Sequence, residues 1–336
     1  ALPPPMTPPA PSSRPPLSLV FLGDLMLGRG VSRVLPRRGP EWFWGDTLPL
    51  LRAADGVIAN LESPITARTR RAFWKAFHFR AVPEAVGILA AGGVRCLALA
   101  NNHMLDYGAE GLADTLATLD RAGIAHAGAG PDASAAAAPA LFAAGADRVG
   151  VIVATDTMPE FAAGPATPGT HVIAIDGAED AARLAPAIAG LRAAGATFLV
   201  LSLHWGPNMR LSPPERYRSF ARAAIGLGLD VVHGHSAHLT QGVERCGRGL
   251  ILYDTGNFID DYWKFPFLPD DWSFVFAVSR WPDGRLDLAL TPVRLHPSPV
   301  RVMTGRESAR RRRAMIEASA ALGARLEDRG GTLLLA

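Results

Sequence analysis

Residues Val94 to Asp106 read Val-Arg-Cys-Leu-Ala-Leu-Ala-Asn-Asn-His-Met-Leu-Asp, an apolar run that stops abruptly in amide, imidazole and carboxylate side chains. The run Val94–Ala100 is too short and too continuous for an amphipathic helix, and it reads as a strand buried on both faces. Working outward, the same arrangement recurs. Leu17–Leu22 runs into Gly23-Asp24, and Gly56–Ala59 into Asn60-Leu61-Glu62. Thr197–Leu203 ends in His204-Trp205-Gly206, and Leu229–Val232 in His233-Gly234-His235-Ser236-Ala237-His238. Leu250–Tyr253 precedes Asp254-Thr255-Gly256-Asn257, and Val149–Ala154 is one more run of this kind. Helix-like segments at Pro83–Ala91, Gly108–Ala122, Ala178–Ala194 and Pro214–Leu227 lie between them. Strands of this kind separated by helices predict an α/β fold with parallel strands. Past Trp272 the pattern alternates, with Ser273–Arg280 and Arg285–Leu295 flanking Pro282-Asp283-Gly284, which predicts a hairpin at an antiparallel edge of the sheet.

The 336 residues suit either two domains or one large α/β domain. With 49% hydrophobic and 19% charged residues, the bulk of the chain is neither disordered nor short of core material. No run of 18 apolar residues offers a transmembrane helix. Two cysteines, Cys96 and Cys246, are too few for a disulfide framework or a cysteine zinc site, and Cys96 reads as a buried free thiol. Eight prolines in the first sixteen residues predict an extended tail. The chain begins with Ala, and no signal-peptide h-region remains to settle localisation. A cytoplasmic location is the expectation, with an extracytoplasmic one open because that start can be a processed one. We expect a Pro-rich disordered tail over 1–16, the main domain over 17–300, and an Arg-rich helix and tail over 301–336.

The net charge of +3 has a local origin, because Arg301 to Arg329 holds eight arginines against four acids. Met315, Ala318, Leu322 and Leu326 follow 3-4-4 spacing, a single apolar helix stripe that leaves most of these arginines in solvent. No aromatic residue interleaves with Arg310–Arg313 to stack on bases, so no nucleic acid is expected as a partner.

Ligands of open α/β sheets bind at the carboxyl ends of the strands. A lone Asp after a strand is most often a helix N-cap, and Asn-Asn is common turn chemistry. Six strand ends bearing Asp, Glu, Asn and His together point to one shared site. Imidazole with carboxylate and amide oxygen suits a divalent ion such as Zn, Mn or Fe, and the lack of cysteine argues against a structural zinc.

Several strings resemble the poly-γ-glutamate capsule biosynthesis protein (CapA) family, a branch of the calcineurin-like metallophosphoesterase superfamily. They are Gly23-Asp24-Leu25-Met26-Leu27-Gly28-Arg29, Ala59 to Thr66 (Ala-Asn-Leu-Glu-Ser-Pro-Ile-Thr) and Phe79-Arg80-Ala81-Val82-Pro83-Glu84. Ala100 to Gly108 (Ala-Asn-Asn-His-Met-Leu-Asp-Tyr-Gly), His204-Trp205-Gly206, Gly234-His235 through His238 with Gln241 and Glu244, and Gly256-Asn257-Phe258 complete the match. It covers about residues 17 to 260 in family order. The resemblance implies a metallophosphoesterase-like two-sheet β-sandwich flanked by helices, with the metal at one edge. Carried over by position, Asp24, Glu62, Asn102, His204, His235 and His238 are the expected ligands of one or two divalent ions. His103 is the expected catalytic histidine, oriented by Asp106. Arg29, Arg80 and Asn257 are expected at the substrate, the arginines because a guanidinium grips phosphate or carboxylate. The chain departs from the superfamily pattern at Met26, which stands where a ligand histidine is common. It also departs in the spacing of His235 and His238, at Asn208 and Ser236, and in the additional His233.

This reading predicts a metal-dependent hydrolase or transferase in which a metal-activated water attacks a phosphoester or a glutamyl-type amide, with His103 donating a proton to the leaving group. The substrate would be an anionic small molecule or polymer. The alternative is a non-catalytic accessory subunit of a polyglutamate capsule polymer synthesis complex. The sequence leaves the oligomeric state open.

Overall fold

The computed structural model describes residues 15–262, 270–295 and 299–336, so most of the expected N-terminal tail lies outside the described residues. Period-two alternation along each strand explains the architecture. In Leu17–Leu25, Leu19 and Phe21 face one way while Val20 and Leu22 face the other. In Phe198–His204, Phe198 and Val200 face inward while Leu199, Leu201 and Leu203 face outward. Leu19, Phe21, Ile58 and Cys96 of one sheet meet Val149, Val151, Val200 and Leu252 of the other in a single core. Each outer face packs on helices, such as Gly108–Arg121 through Leu112 and Leu119 on the first sheet, and Glu215–Gly226 through Phe220 and Ala224 on the second. Both faces of each sheet are thus apolar, which is why the strands read as unbroken runs. The result is a two-sheet β-sandwich flanked by helices, the architecture that the resemblance implies. Cys96 is a free thiol in the inner layer, where burial pushes it up to about 12.

The first sheet has ten strands among the described residues and the second six. In the first, Leu17–Leu25 pairs in parallel with Gly56–Leu61, which continues to Val94–Ala98 and Ala125–Ala127. On its other side it pairs antiparallel with Trp272–Arg280. The hairpin predicted at the sheet edge therefore sits inside the sheet. The edge belongs to a second hairpin, Leu326–Arg329 with Thr332–Leu335, in the segment expected as a C-terminal helix and tail. The helix of that segment, Gly305–Ala320, buries Ser308, Met315 and Ser319, and Leu326, expected on its stripe, lies in a strand instead. Arg311 lies over the Trp272 ring and 3.7 Å from Asp271, and Arg312 pairs with Asp328 at 2.7 Å. Two arginines of the basic run are thus spent on fastening this helix to the sheet.

All the polar strand ends fall on one edge of the sandwich because the central strands of both sheets run in parallel. The closest approach there is at Gly23, where an added Cβ would stand 1.7 Å from the Gly256 carbonyl oxygen. Gly23→Ala should lower stability by several kcal/mol, because backbone rather than a flexible side chain must move. Gly190, exposed in the helix Ala185–Ala193 with nothing near its Cβ position, provides the opposite case. Gly190→Ala should raise stability by about 0.5–1 kcal/mol. Urea titrations of both variants check the signs, and equal effects would show that the Gly23 backbone yields freely.

Candidate metal centre

Register decides which side chains meet. Asp24 is paired with Asn60 on one side and Asn257 on the other, and His204 is paired with His235 across two parallel strands. Neighbouring strands lie about 4.8 Å apart, so rings on registered residues stand side by side. The Nδ1 atoms of His204 and His235 are 3.0 Å apart, and they lie 3.9 and 3.5 Å from Asp24 Oδ1. His238 brings Nδ1 to 3.5 Å from Asp24 Oδ2 and Nε2 to 3.9 Å from Glu62 Oε1. Two overlapping donor groups result, Asp24–His204–His235 and Asp24–Glu62–His238, with Asp24 common to both.

Three observations test whether these residues fit a divalent cation. Metal bonds of about 2.0–2.1 Å at tetrahedral or octahedral angles put donors about 2.9–3.4 Å apart; the 3.0 and 3.5 Å edges found here are close to this, and the 3.9 Å edges are wider by about half an ångström. Next, Asp24 Oδ2, Glu62 Oε1 and Asn102 Oδ1 are buried without a hydrogen-bond partner. Buried acceptors are normally satisfied, so the two orphans inside the donor groups, on Asp24 and Glu62, call for a positive ligand. Finally, Asp24 and Glu62 are fully buried. Burial, and then the charge of Glu62, drives Asp24 well above the carboxylate range, while burial takes Glu62 to about 8. Burial likewise holds His204 and His235 far below the usual imidazole value. A cation reverses the first trend and suits the second, because it favours carboxylate and neutral imidazole together.

A hydrogen-bonded chain behind the cluster fixes which nitrogen of His235 faces it. Thr255 Oγ1 donates to the Gly234 carbonyl at 3.0 Å, so it accepts from His233 Nε2 at 3.1 Å. Burial brings His233 down to about 3, so its Nδ1 is a bare acceptor for the Ser202 hydroxyl at 3.1 Å. Ser202 then accepts from His235 Nε2, also at 3.1 Å, which leaves His235 Nδ1 free toward Asp24. The additional histidine of the sequence is a support for its neighbour. On the other side, Asn101 Nδ2 donates to Asn60 Oδ1 at 3.1 Å, and Asn60 Nδ2 to Asp24 Oδ1 at 2.8 Å. Met26 is fully buried, its sulfur accepting the Gly28 N–H.

Beside the cluster lies a pocket of about 630 Å³. Arg29, Asn102, His103, Asn208, His238 and Asn257 are among the residues lining it. His103 Nδ1 is 2.7 Å from Asp106 Oδ2, and its ring is stacked on Phe79 at 3.9 Å. Burial lowers His103 to about 4. Asn257 Oδ1 is occupied by His238 Nδ1 at 2.9 Å, so this amide positions a ring as well as lining the pocket. Arg80 does not join the group. Its guanidinium donates to the Ala67 and Arg68 carbonyls and lies over Tyr107, away from the pocket lining. Two residues absent from the sequence expectation are central. Buried Lys75 binds Asp106 and the Asn102 carbonyl, and Tyr262 donates to Glu62 Oε2 at 2.6 Å. Arg29, Met158, Met209 and His238, four pocket residues, hold positive φ without being glycine, as does Ser236 in the loop between His235 and His238. Such strain concentrates at functional sites.

Residues 18–262 match the family model described as "Bacterial capsule synthesis protein PGA_cap". The chain belongs to this family. It is 34% identical over 284 residues, covering 73% of this chain and 75% of the relative, to a Mycobacterium tuberculosis protein named "Probable polyglutamine synthesis accessory protein". It is 30% identical to the "PGA biosynthesis protein CapA" of Bacillus subtilis, covering 85% of this chain and 74% of that one. A distant likeness links it to the sulfate thiohydrolase SoxB of Thermus thermophilus, with TM-score 0.41 and 13% identity over 89% of this chain and 57% of that one.

The opposed shifts give this capsule-family protein a pH signature. A carboxyl raised from 4.5 to about 8 binds more protons folded than unfolded, so Glu62 makes stability fall as pH rises through that window. A histidine lowered from 6.5 binds fewer protons folded than unfolded, so His103, His204 and His235 make stability fall as pH drops below 6.5. Chelator-treated protein should therefore be most stable near the 6.5 of an ordinary imidazole and lose on the order of 1 kcal/mol by pH 8. Protein saturated with Zn or Mn keeps Glu62 ionised and should show no such loss. Thermal melts at stepped pH decide it, and a chelated protein whose melting point stays level up to pH 8 would count against the uncompensated carboxyl pair.

Proposed function

We propose that this chain is a metal-dependent hydrolase or transferase acting on an anionic phosphoester or glutamyl-type amide of capsule polymer chemistry. The observation that carries the reading is the pair of partnerless buried oxygens on Asp24 and Glu62, grouped with the imidazoles of His204, His235 and His238, with a third on Asn102 in the adjoining pocket lining. Those six residues would hold one or two divalent ions. A cation there supplies Lewis-acid polarisation and lowers the pKa of water toward neutral.

The residues of the chain divide the remaining work. Asp106 accepts from His103 Nδ1 and leaves Nε2 for the substrate. Because burial keeps this imidazole neutral, it takes up a proton before it returns one to the leaving oxygen or nitrogen. His103 is thus a shuttle, a narrower role than the standing proton donor expected from sequence. Arg29 provides a planar fork for phosphate or carboxylate at the pocket wall, steadied by Asp261 at 3.3 Å. Arg80, spent on backbone carbonyls, has no such role. Pairing of Tyr262 with Glu62 fixes the carboxylate that would otherwise rotate.

A second reading draws on the name of the Mycobacterium tuberculosis relative, an accessory protein of polymer synthesis. There the same site would hold the polymer without turnover. Elemental analysis of chelator-free protein, followed by assays on phosphoesters and glutamyl amides, separates the two. We expect close to one equivalent of Zn, Mn or Fe or more, reduced by His235→Ala and by His204→Ala. His103→Asn should retain metal and lose roughly 10²- to 10⁴-fold in turnover. Arg29→Ala should lower kcat/KM roughly ten- to a hundredfold while Arg80→Ala changes it less than about threefold. Metal-loaded protein that binds these anions and converts none of them would favour the accessory reading, and unchanged metal in both histidine variants would end the shared-site assignment.

A further inference from the structure

The pocket beside the metal cluster has two chemically distinct walls. Its polar lining combines a floor of more deeply set residues, Asn102, His103, His238, Asn257 and Asp270, with the half-exposed Arg29. Its rim is apolar, with Trp74, Phe77, Met158 and Met209. At about 630 Å³ it has room for a molecule of drug size, far more than a phosphate or carboxylate group needs. The rim continues outward in unusually exposed aromatic residues. Phe73 is 93% exposed, Phe77 71% and Trp74 50%, all within five residues of chain. Leaving such side chains in water forgoes the stabilisation that burial gives, so a cluster of them marks a binding surface.

The cluster is held out by its own loop. Lys75, between Trp74 and Ala76, is buried and tied to Asp106 and to the Asn102 carbonyl, with its ammonium 5.0 Å from the Phe161 ring. Trp74 packs edge-on against the same Phe161 at 5.6 Å. The loop therefore cannot turn its aromatic residues inward without breaking a buried ion pair, whose loss is strongly destabilising. Two further lining residues, Met158 and Met209, stand on backbone with φ of 52° and 59°, a cost that the surrounding fold sustains. Methionine is unbranched and polarisable and adapts to flexible apolar ligands.

We propose that the site takes an amphiphilic anion, its charged head on the polar floor and its hydrocarbon chain along Trp74, Phe77, Met158 and Met209. For the head this rests on the metal-site reading above, while for the chain it rests on the rim alone. A ligand chain suits the geometry better than a docked protein because rim and floor are walls of one concavity, so whatever reaches the floor passes along the rim.

Isothermal titration of Zn- or Mn-loaded protein with methyl-, butyl- and octylphosphonate tests it, the C–P bond resisting hydrolysis, with butanoate and octanoate as a carboxylate series. Below micellar concentrations each buried methylene should tighten binding roughly two- to fourfold. Octylphosphonate should thus bind at least about tenfold more tightly than butylphosphonate. Trp74→Ala with Phe77→Ala should bring that ratio below about three while methylphosphonate affinity and metal content stay unchanged. Both side chains are half or more exposed, so folding is spared. A slope in either series supports the proposal, and the tighter series identifies the head. If methylphosphonate binds but chain length has no effect, the amphiphile proposal falls and the metal-site reading stands. A slope that survives the double variant removes the rim assignment. If no head binds to metal-loaded protein, both fall.

Discussion

A fully buried carboxylate at the end of the central strand sets the conditions for everything around it. Asp24 ends a strand that at this point is paired in parallel on both flanks, with Asn60 on one and Asn257 on the other. One oxygen accepts from Asn60 and the other has no partner. An isolated buried carboxylate costs several kcal/mol unless it is neutralised or paired. A second buried carboxylate, Glu62, adds to the burden, and the donors Asn60 and Tyr262 with the charges of His238 and Lys75 offset it only in part. Such a cluster lowers the stability of the metal-free fold, and that is the property expected of a site kept for a cation rather than for packing.

Precise placement of the donors depends on interactions well outside the cluster. Gly23 lets the first strand pass against the Gly256 carbonyl, which brings Asn257 alongside Asp24. Gly234 does the same for the second sheet, since an added Cβ would meet the Tyr253 carbonyl oxygen at 2.0 Å. Between these points the run His235–Ser202–His233–Thr255–Gly234 leaves each polar group one consistent role, so the His235 ring is fixed in both orientation and tautomer. A donor set arranged in advance loses little freedom when a ligand arrives.

Much of this was legible in the sequence, for a specific reason. Strands buried on both faces appear as continuous apolar runs, so the residue at which polarity begins marks the carboxyl end of the strand, where the site lies. That is how Asp24, His204 and His235 could be recognised. The reading failed where contacts are set by tertiary approach. Lys75 lies in the stretch Ala67 to Arg80, which has no periodicity, and its burial depends on Asp106, reached only through the fold. Tyr262 follows two acids without a motif and is visible only from Glu62. Arg80 belongs to a matching string, yet its backbone passes against Gly28 and its guanidinium turns to the carbonyls of its own loop. The C-terminal hairpin was lost because Leu326 completed a helical spacing that Gly323 and the antiparallel pairing of Leu326–Arg329 override.

Lys75 also explains why the acid–base pair and the apolar rim should be considered together. Its ammonium lies 3.4 Å from His103 Nδ1 and binds the same Asp106 that orients this ring. Burial is the main cause that lowers His103; Asp106 opposes it by hydrogen bond and charge, and the Lys75 ammonium adds to the lowering. The same side chain anchors the loop that carries Trp74 and Phe77. A chain bound along the rim would press on the residues flanking Lys75, and movement of that ammonium away from Asp106 would free the carboxylate to favour imidazolium at His103. The loop that carries Trp74 and Phe77 is therefore joined through one lysine to Asp106 and the His103 ring.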